Sequence, residues 1–419
     1  MDNLTHTLIG LIAGESIARS TQAKRPGLAD DVRRKLFVAL AVIGGNLPDL
    51  DLVYSYRGFP RNKLAYLLQH RGYTHTVLGC LVLALLVYAG AEWWMRWKRL
   101  APTGQDRCGL AAMAVFGTLL HLMMDALNSY GVHPFWPARN RWLYGDSVFI
   151  IEPLFWMAAA PLFFVAQSAL ARWFVGSALL AALAVGTVSH LSQPAWYIGF
   201  ALLTIGLLMV GKRGSARVAA RTSAGITVFV AAAFIFAGRT AAHRIEAIAA
   251  ASFPEDVLID HVLTPMPTNP LCWDVLLLET QADLYTVRHG VLSDAPMLIA
   301  AADCRVTGGD QRPTAPMRRV PAPDSMAMRW LGEFAMSRTL LATLVANHCD
   351  AAALMQFARA PFATQIGRRW VMGDLRFDRE PQLGIAEIVI GSAPSDRCPT
   401  SVPWIPPRED LLERVGRSP

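Results

Sequence analysis

LFVALAVIGGNLPDLDLV, residues 36–53, begins as the inside of a lipid bilayer and ends in two carboxylates. Its apolar run leads into Pro48, and Asp49 and Asp51 follow directly. A carboxylate at that depth is costly unless something positive holds it. The stretch therefore predicts a membrane-embedded helix and, at its end, a positively charged partner supplied by the rest of the chain.

Composition agrees with the first expectation. Of 419 residues, 53% are hydrophobic and 17% charged, and mean hydropathy is +0.32. Soluble domains run at about a quarter charged. A net charge of +7 is compatible with a nucleic-acid or acidic-lipid partner. The Lys and Arg, however, sit in short loops between apolar runs, which reads as membrane topology and excludes a nucleic-acid role. The opening MDNLTHTLIGLIAGES has no basic n-region and carries Glu15, so it is not expected to be a cleaved signal peptide.

Apolar runs predict eight transmembrane helices, near 4–19, 36–54, 74–95, 109–128, 150–171, 173–191, 196–211 and 222–239. TVLGCLVLALLVYAGAEWW (76–94) is the clearest; the first two runs are short and polar at one end, as partial or re-entrant spans are. Fifteen Lys and Arg, from Arg19 to Arg221, fall in one alternate set of loops, and six, from Arg57 to Arg141, in the other. The positive-inside rule then puts both termini outside, on the periplasmic side of a bacterial inner membrane.

After residue 240 the hydrophobic runs shorten, prolines gather, and strand-like stretches appear: WDVLLLET, DLYTVRHGVL, RRWVMGDLRFD and GIAEIVIG. Helical patterns are read at 326–336 and 339–358. The expected fold is thus an all-α polytopic membrane domain over 1–240, followed by an α+β extramembrane domain over 241–419. Cys272, Cys304, Cys349 and Cys398 lie in the latter, where an oxidising compartment would allow two disulfides.

The partner for the carboxylates emerges when the spans are aligned. Asp49 and Asp51 end one span, and His70 and His75 of HRGYTH open the next. His121 and Asp125 close a third, His6 begins the chain, and Asp146 and Glu152 lead into the 150–171 run, with His133 in the loop before it. All come to one membrane face. His121 and Asp125, at i and i+4, share a helical face, a natural bidentate metal platform. Asp49 and Asp51 would diverge by about 200° on a helix, and a turn at Pro48 would let both face one site. Thr74 is expected to cap the next helix, with His75 on its first turn. Neutral imidazoles with carboxylates suit Zn²⁺, or Mn²⁺ and Fe²⁺ after it. The plain alternatives are an intrahelical ion pair at His121 and Asp125 and solvated acids at helix ends. Glu15, about 13 Å deeper than His6 if helical, reads as a structural hydrogen-bonding group.

MDNLTHTLIG (1–10), NLPDLDL (46–52), HRGYTHT (70–76), HLMMDALNSYGVHPFWP (121–137) and YGDSVFIIEP (144–153) resemble the YdjM-like inner-membrane proteins, described as LexA-regulated metal-dependent hydrolases. The ordered His, Asp, His, HxxxD, His, Glu set is also similar to the zinc-dependent phospholipase C superfamily. The resemblance implies that His6, Asp49 or Asp51, His70 or His75, His121 and Asp125 are metal ligands, with His133 and Glu152 looser matches to a third zinc site. The amino-terminal tryptophan of the secreted phospholipases is missing here, so two metal ions are expected. The implied activity is hydrolysis of a phosphoester in a phospholipid or lipid-linked phosphate, with Asp51 or Asp146 as general base and Arg71 on a phosphate oxygen. Rival classes are an ion or solute transporter and a non-catalytic membrane adaptor with a structural metal.

Overall fold

A computed structural model describes residues 1–21, 27–55, 63–166, 168–188, 194–305, 316–377, 384–390 and 402–412. Its helices are α1 (Asn3–Ser20), α2 (Asp30–Gly44), α3 (Asp51–Ser55), α4 (Lys63–Gln69), α5 (Val77–Trp97), α6 (Gly104–Asp125), α7 (Pro153–Met157), α8 (Ala169–Val188), α9 (Pro194–Arg213) and α10 (Ala216–Ser252). Strands β1 (Val257–Met266), β2 (Asn269–Gln281) and β3 (Leu284–Ser293) follow, then β4 (Met328–Ser337), α11 (Arg338–Asn347), α12 (Cys349–Met355), β5 (Pro361–Ile366), β6 (Arg369–Asp374) and β7 (Glu387–Val389).

The membrane part packs around two interiors. In one, Phe37 and Leu40 of α2 meet Ala84 and Met95 of α5 and Leu110 and Met113 of α6. In the other, Leu8 and Ile12 of α1 meet Phe155, Trp156 and Phe234. α1 lies tight on α2 because Gly14 has no side chain, and a Cβ there would come 2.6 Å from the Val38 Cα. Glu15, at the far end of α1, accepts from Arg19 Nε (2.8 Å) and Arg34 Nη1 (2.6 Å), the structural role expected of it.

Among the described residues, three helices are long and apolar enough to cross a membrane: α5, α6 and α10. A fourth crossing exists if α2 and Leu47–Ser55, bent by 47°, are taken as one. Eight spans are therefore not supported. α1 interrupts its apolar face with Thr5, His6, Thr7 and Glu15. The 150–171 run is cut by its prolines into the five-residue α7 and a 3-10 turn at Ala160–Leu162, because a proline removes a backbone donor and clashes with the preceding turn. α8 contributes a shorter apolar helix, Ala169–Val185.

The α+β expectation holds for the C-terminal region, which has a four-stranded antiparallel sheet in the order β1-β2-β3-β4 and a three-stranded sheet β5-β6-β7. The helix read at 326–336 is strand β4, whose burial alternates along its second half as one face packs inward. The pattern at 339–358 breaks into α11 and α12. α10 runs 37 residues, roughly 55 Å, so it outlasts a bilayer core of about 30 Å. Its last turns place Ala241, Ile245 and Ala249 against Leu263, Trp273 and Leu292 of the sheet. Cys272 and Cys304 are joined and Cys349 is disulfide-bonded, while Cys398 lies outside the described residues.

Candidate metal centre

The bend at the end of α2 makes the site. Gly45 and Asn46 end the helix, and Pro48 enters a 3-10 turn, Leu47–Leu50, before α3 begins at Asp51. On one continuous helix Asp49 and Asp51 would point apart; here both are buried, at 7% and 0% exposure. α6 brings His121 and Asp125 one turn apart, and α1 brings His6. A second 3-10 turn, Tyr73–His75, delivers His75. The cap of α5 is Thr76 rather than Thr74, through Gly79 N to Thr76 Oγ1 at 2.9 Å. Thr74 instead turns its hydroxyl to Asp51 Oδ2 and to His75 Nδ1, each at 3.0 Å.

Ligand atoms from Asp49, His75, His121 and Asp125 all lie within 4.8 Å of one another, and a second group joins Asp49, Asp51 and His70. The tautomers of the two central histidines are fixed from behind. His121 Nδ1 lies 2.8 Å from the Gly45 carbonyl, which can only accept, so Nδ1 carries the proton. His75 Nδ1 lies 3.2 Å from Asp51 Oδ2, so it also carries one. Both Nε2 lone pairs therefore point inward, and they face each other at 3.0 Å. Asp49 Oδ1 is 3.4 Å from His75 Nε2 and 3.6 Å from His121 Nε2. Asp125 Oδ2 is 3.3 and 3.6 Å from the same two atoms. Four acceptors converge on one point, a donor set that could hold a metal ion.

Asp125 is the most contacted member. Arg71 Nε lies 3.0 Å from its Oδ2, His6 Nε2 lies 3.3 Å from its Oδ1, and the Met1 amine bonds to Oδ1. His6 stacks on His121 with ring centroids 3.9 Å apart, and its Nε2 is buried without a hydrogen-bond partner, as a metal-ligating nitrogen would be. Arg71 itself sits at φ 61°, an uncommon backbone for a non-glycine residue, between His70 and Gly72. Its Nη1 donates to Asn128 Oδ1 at 3.0 Å, and its guanidinium lies 4.5 Å from the centre of the Tyr130 ring. Asp51 accepts from Arg71 N (2.8 Å) and Thr74 Oγ1 (3.0 Å), and its Oδ1 lies 3.0 Å from His70 Nδ1.

His6, Asp49, Asp51, His70, Arg71, His75, His121 and Asp125 are thus brought together. Three other candidates lie elsewhere. His133 stacks on Trp404 at 4.5 Å with Trp142 edge-on, and burial pushes its pKa down to about 3. Asp146 bonds to Arg359, and burial raises its carboxyl although that arginine opposes the shift. Glu152 caps α7 through Leu154 N (3.0 Å) and receives Thr268 N, from the β1–β2 hairpin, at 3.1–3.2 Å. Motif order brought in His133 and Glu152, and Asp146 came in as a spare carboxylate before the next apolar run; tertiary packing turned all three away. Conversely, Asn128, Tyr130 and the Met1 amine carried no metal-binding signal in the sequence, although Asn128 and Tyr130 lie in the loop directly after Asp125.

Glu152 supplies a test of its own. It lies outside the candidate spans, and burial lifts its pKa from 4.5 to about 8. The folded state then holds the proton more tightly than the unfolded chain, so its contribution is complete below about pH 4.5 and fades as pH rises through 8. Glu152→Gln is expected to flatten that part of the stability profile between pH 5 and 9, read by thermal unfolding in detergent. A Gln variant that loses stability with pH as steeply as the wild type would show that Glu152 does not titrate there.

Residues 1–195 match the model of a family described as YdjM inner membrane protein, the family that the motifs resemble. An uncharacterized protein of Bacillus subtilis (strain 168), YfhP, is 23% identical over 177 residues, 42% of this chain and 47% of that protein. The match spans about half the length of that curated relative. No solved structure matches the chain.

Proposed function

We propose that this chain, which carries a YdjM inner membrane protein region over residues 1–195, is a membrane-bound metal-dependent hydrolase acting on a phosphoester of a phospholipid or lipid-linked phosphate. The observation that carries the proposal is the pair of Nε2 lone pairs, His75 and His121, converging with two carboxylates. A divalent transition metal fits that donor set, Zn²⁺ first and Mn²⁺ next. Asp49, His75, His121 and Asp125 would hold one ion, with His6 beside them. Asp49, Asp51 and His70 supply donors for the second of the two ions expected. A bound metal supplies Lewis acidity, lowering the pKa of a coordinated water and stabilising charge on phosphoryl oxygens.

The protein's own groups orient and select. Asp51 Oδ2 holds the proton of His75 on its Nδ1 atom, as carboxylates behind metal-binding histidines do. Of the two acids considered as general base, only Asp51 is at the site, and its oxygens already accept from its neighbours. Arg71 is 2% exposed and serves Asp125 rather than an open phosphate pocket. Leu50, Val53, Tyr54 and Tyr73, all exposed, flank the ligand turns and offer an apolar rim to an amphiphile. We place the site and both termini at the periplasmic face of the inner membrane. The Lys and Arg asymmetry supports this orientation, and so do the disulfides of the C-terminal region.

The burial of all four central ligands favours a second reading, a closed structural metal in a non-catalytic adaptor. One experiment separates the two. Metal-loaded protein in liposomes is expected to release phosphate or headgroup from a panel of phospholipids and lipid pyrophosphates, to stop on chelation, and to resume with Zn²⁺ or Mn²⁺. Chelation that unfolds the protein, with no release from any substrate when loaded, would leave the structural reading. Movement of an ion or solute across the bilayer without hydrolysis would make it a transporter.

A further inference from the structure

The α+β region is built into the metal centre. α4 leads directly to His70 and Arg71, yet its apolar side, Leu64, Leu67 and Leu68, is buried in the C-terminal core with Leu354, Phe357 and Leu411. Tyr130, in the loop after Asp125, belongs to that same core. One part of its ring meets Phe357 at 5.3 Å. The ring also carries the Arg71 guanidinium at 4.5 Å and meets the His70 imidazole at 5.6 Å.

Arg376 fixes that loop from the far side. Its Nη1 donates to the carbonyls of Ser129 (2.8 Å) and Tyr130 (3.1 Å), and its Nη2 donates to Phe357 O at 3.0 Å. The wholly buried Asp374 holds the same guanidinium at 2.7 Å, so its charge is matched and its direction set. Contacts therefore run from Arg376 to the Tyr130 backbone, from the Tyr130 ring to Arg71, and from Arg71 Nε to Asp125. Arg71 needs such support, because it is buried in a left-handed backbone conformation and must still reach a carboxylate on another helix.

We propose that Arg376 and Tyr130 are positioning residues through which the C-terminal domain sets the metal affinity of the site in the membrane region. The inference rests on the metal-centre reading above. Its test uses the full chain in detergent, stripped of metal and titrated with Zn²⁺, with the visible absorption of the Co²⁺ form as a second readout. Tyr130→Leu keeps an apolar side chain but removes the π face under Arg71. Tyr130→Phe keeps the face and gives up only a hydroxyl that is buried without a hydrogen-bond partner.

Tyr130→Leu and Arg376→Ala are each expected to raise the Zn²⁺ dissociation constant about 10-fold, at the low end for outer partners of metal ligands, and to shift the Co²⁺ bands. Tyr130→Phe should restore both readouts, which a role in packing alone would not require. Arg244→Ala, whose partner is Asp294, should bind as wild type. Should Arg376→Ala fail to fold, the Leu and Phe pair decides. Leu binding as tightly as wild type, or Leu and Phe weakened alike, overturns the inference while the metal centre stands. Wild-type protein that takes up no metal overturns the metal centre itself.

Discussion

Asp125→Ala is expected to lose the metal held with Asp49, His75 and His121 and to destabilise the protein by about 3–5 kcal/mol, the cost of removing one partner of a buried ion pair. The reason is what remains. Arg71 keeps its guanidinium buried, and the Met1 amine loses the carboxylate it bonds to. His121→Ala removes a ligand of the same cluster without stranding a charge, so it should lose metal with a smaller loss of stability. The two variants together separate binding from folding. His243→Ala, on the exposed face of α10, should match wild type in both. Metal content is read by elemental analysis after size exclusion, and stability by thermal unfolding with and without Zn²⁺. Unchanged metal in both variants would make the cluster an ion-pair and hydrogen-bond network and nothing more.

What the sequence made legible, and what it hid, follows from the physics of each stretch. Residues 76–94 read as a span because a long apolar run, charged only at Glu92 near its end, matches the length of a bilayer crossing. The 150–171 run misled, since average hydropathy ignores what Pro153 and Pro161 do to backbone hydrogen bonds. MAMRWLGEFAM was ambiguous in the same way, its apolar residues fitting both helical and strand spacing until the neighbouring strand β3 decided the matter. The site was more legible than the fold. Carboxylates and imidazoles at the ends of apolar segments are expensive, so their arrival at one level from separate segments was informative in itself. Which of them touch was not legible. His133 and Glu152 stand in the right order along the chain but pack against Trp404 and the β1–β2 hairpin. The Tyr130 ring beneath Arg71 packs on Phe357 and its carbonyl accepts from Arg376, residues more than 200 positions away and beyond any local pattern.

Asp51→Asn separates a role in holding metal, as a ligand or as the carboxylate behind His75, from a role as general base, and its expected effect is large. The side chain is wholly buried, and its oxygens meet the His70 and His75 Nδ1 atoms, the Thr74 hydroxyl and the Arg71 backbone N–H. An asparagine has one oxygen to offer; in the Oδ2 place it keeps Arg71 N, Thr74 and His75 but turns its N–H₂ toward His70, and a neutral amide holds the His75 Nδ1 proton less firmly than a carboxylate does. Removing the carboxylate behind a metal-binding histidine typically costs 10–100-fold in metal affinity. We therefore expect the Zn²⁺ dissociation constant to rise by about that factor, and hydrolysis to fall in step, recovering when excess Zn²⁺ refills the site. A general base would behave differently. Its loss would leave metal binding intact and depress turnover at saturating metal, and that result would return Asp51 to proton transfer and remove it from the support of His75.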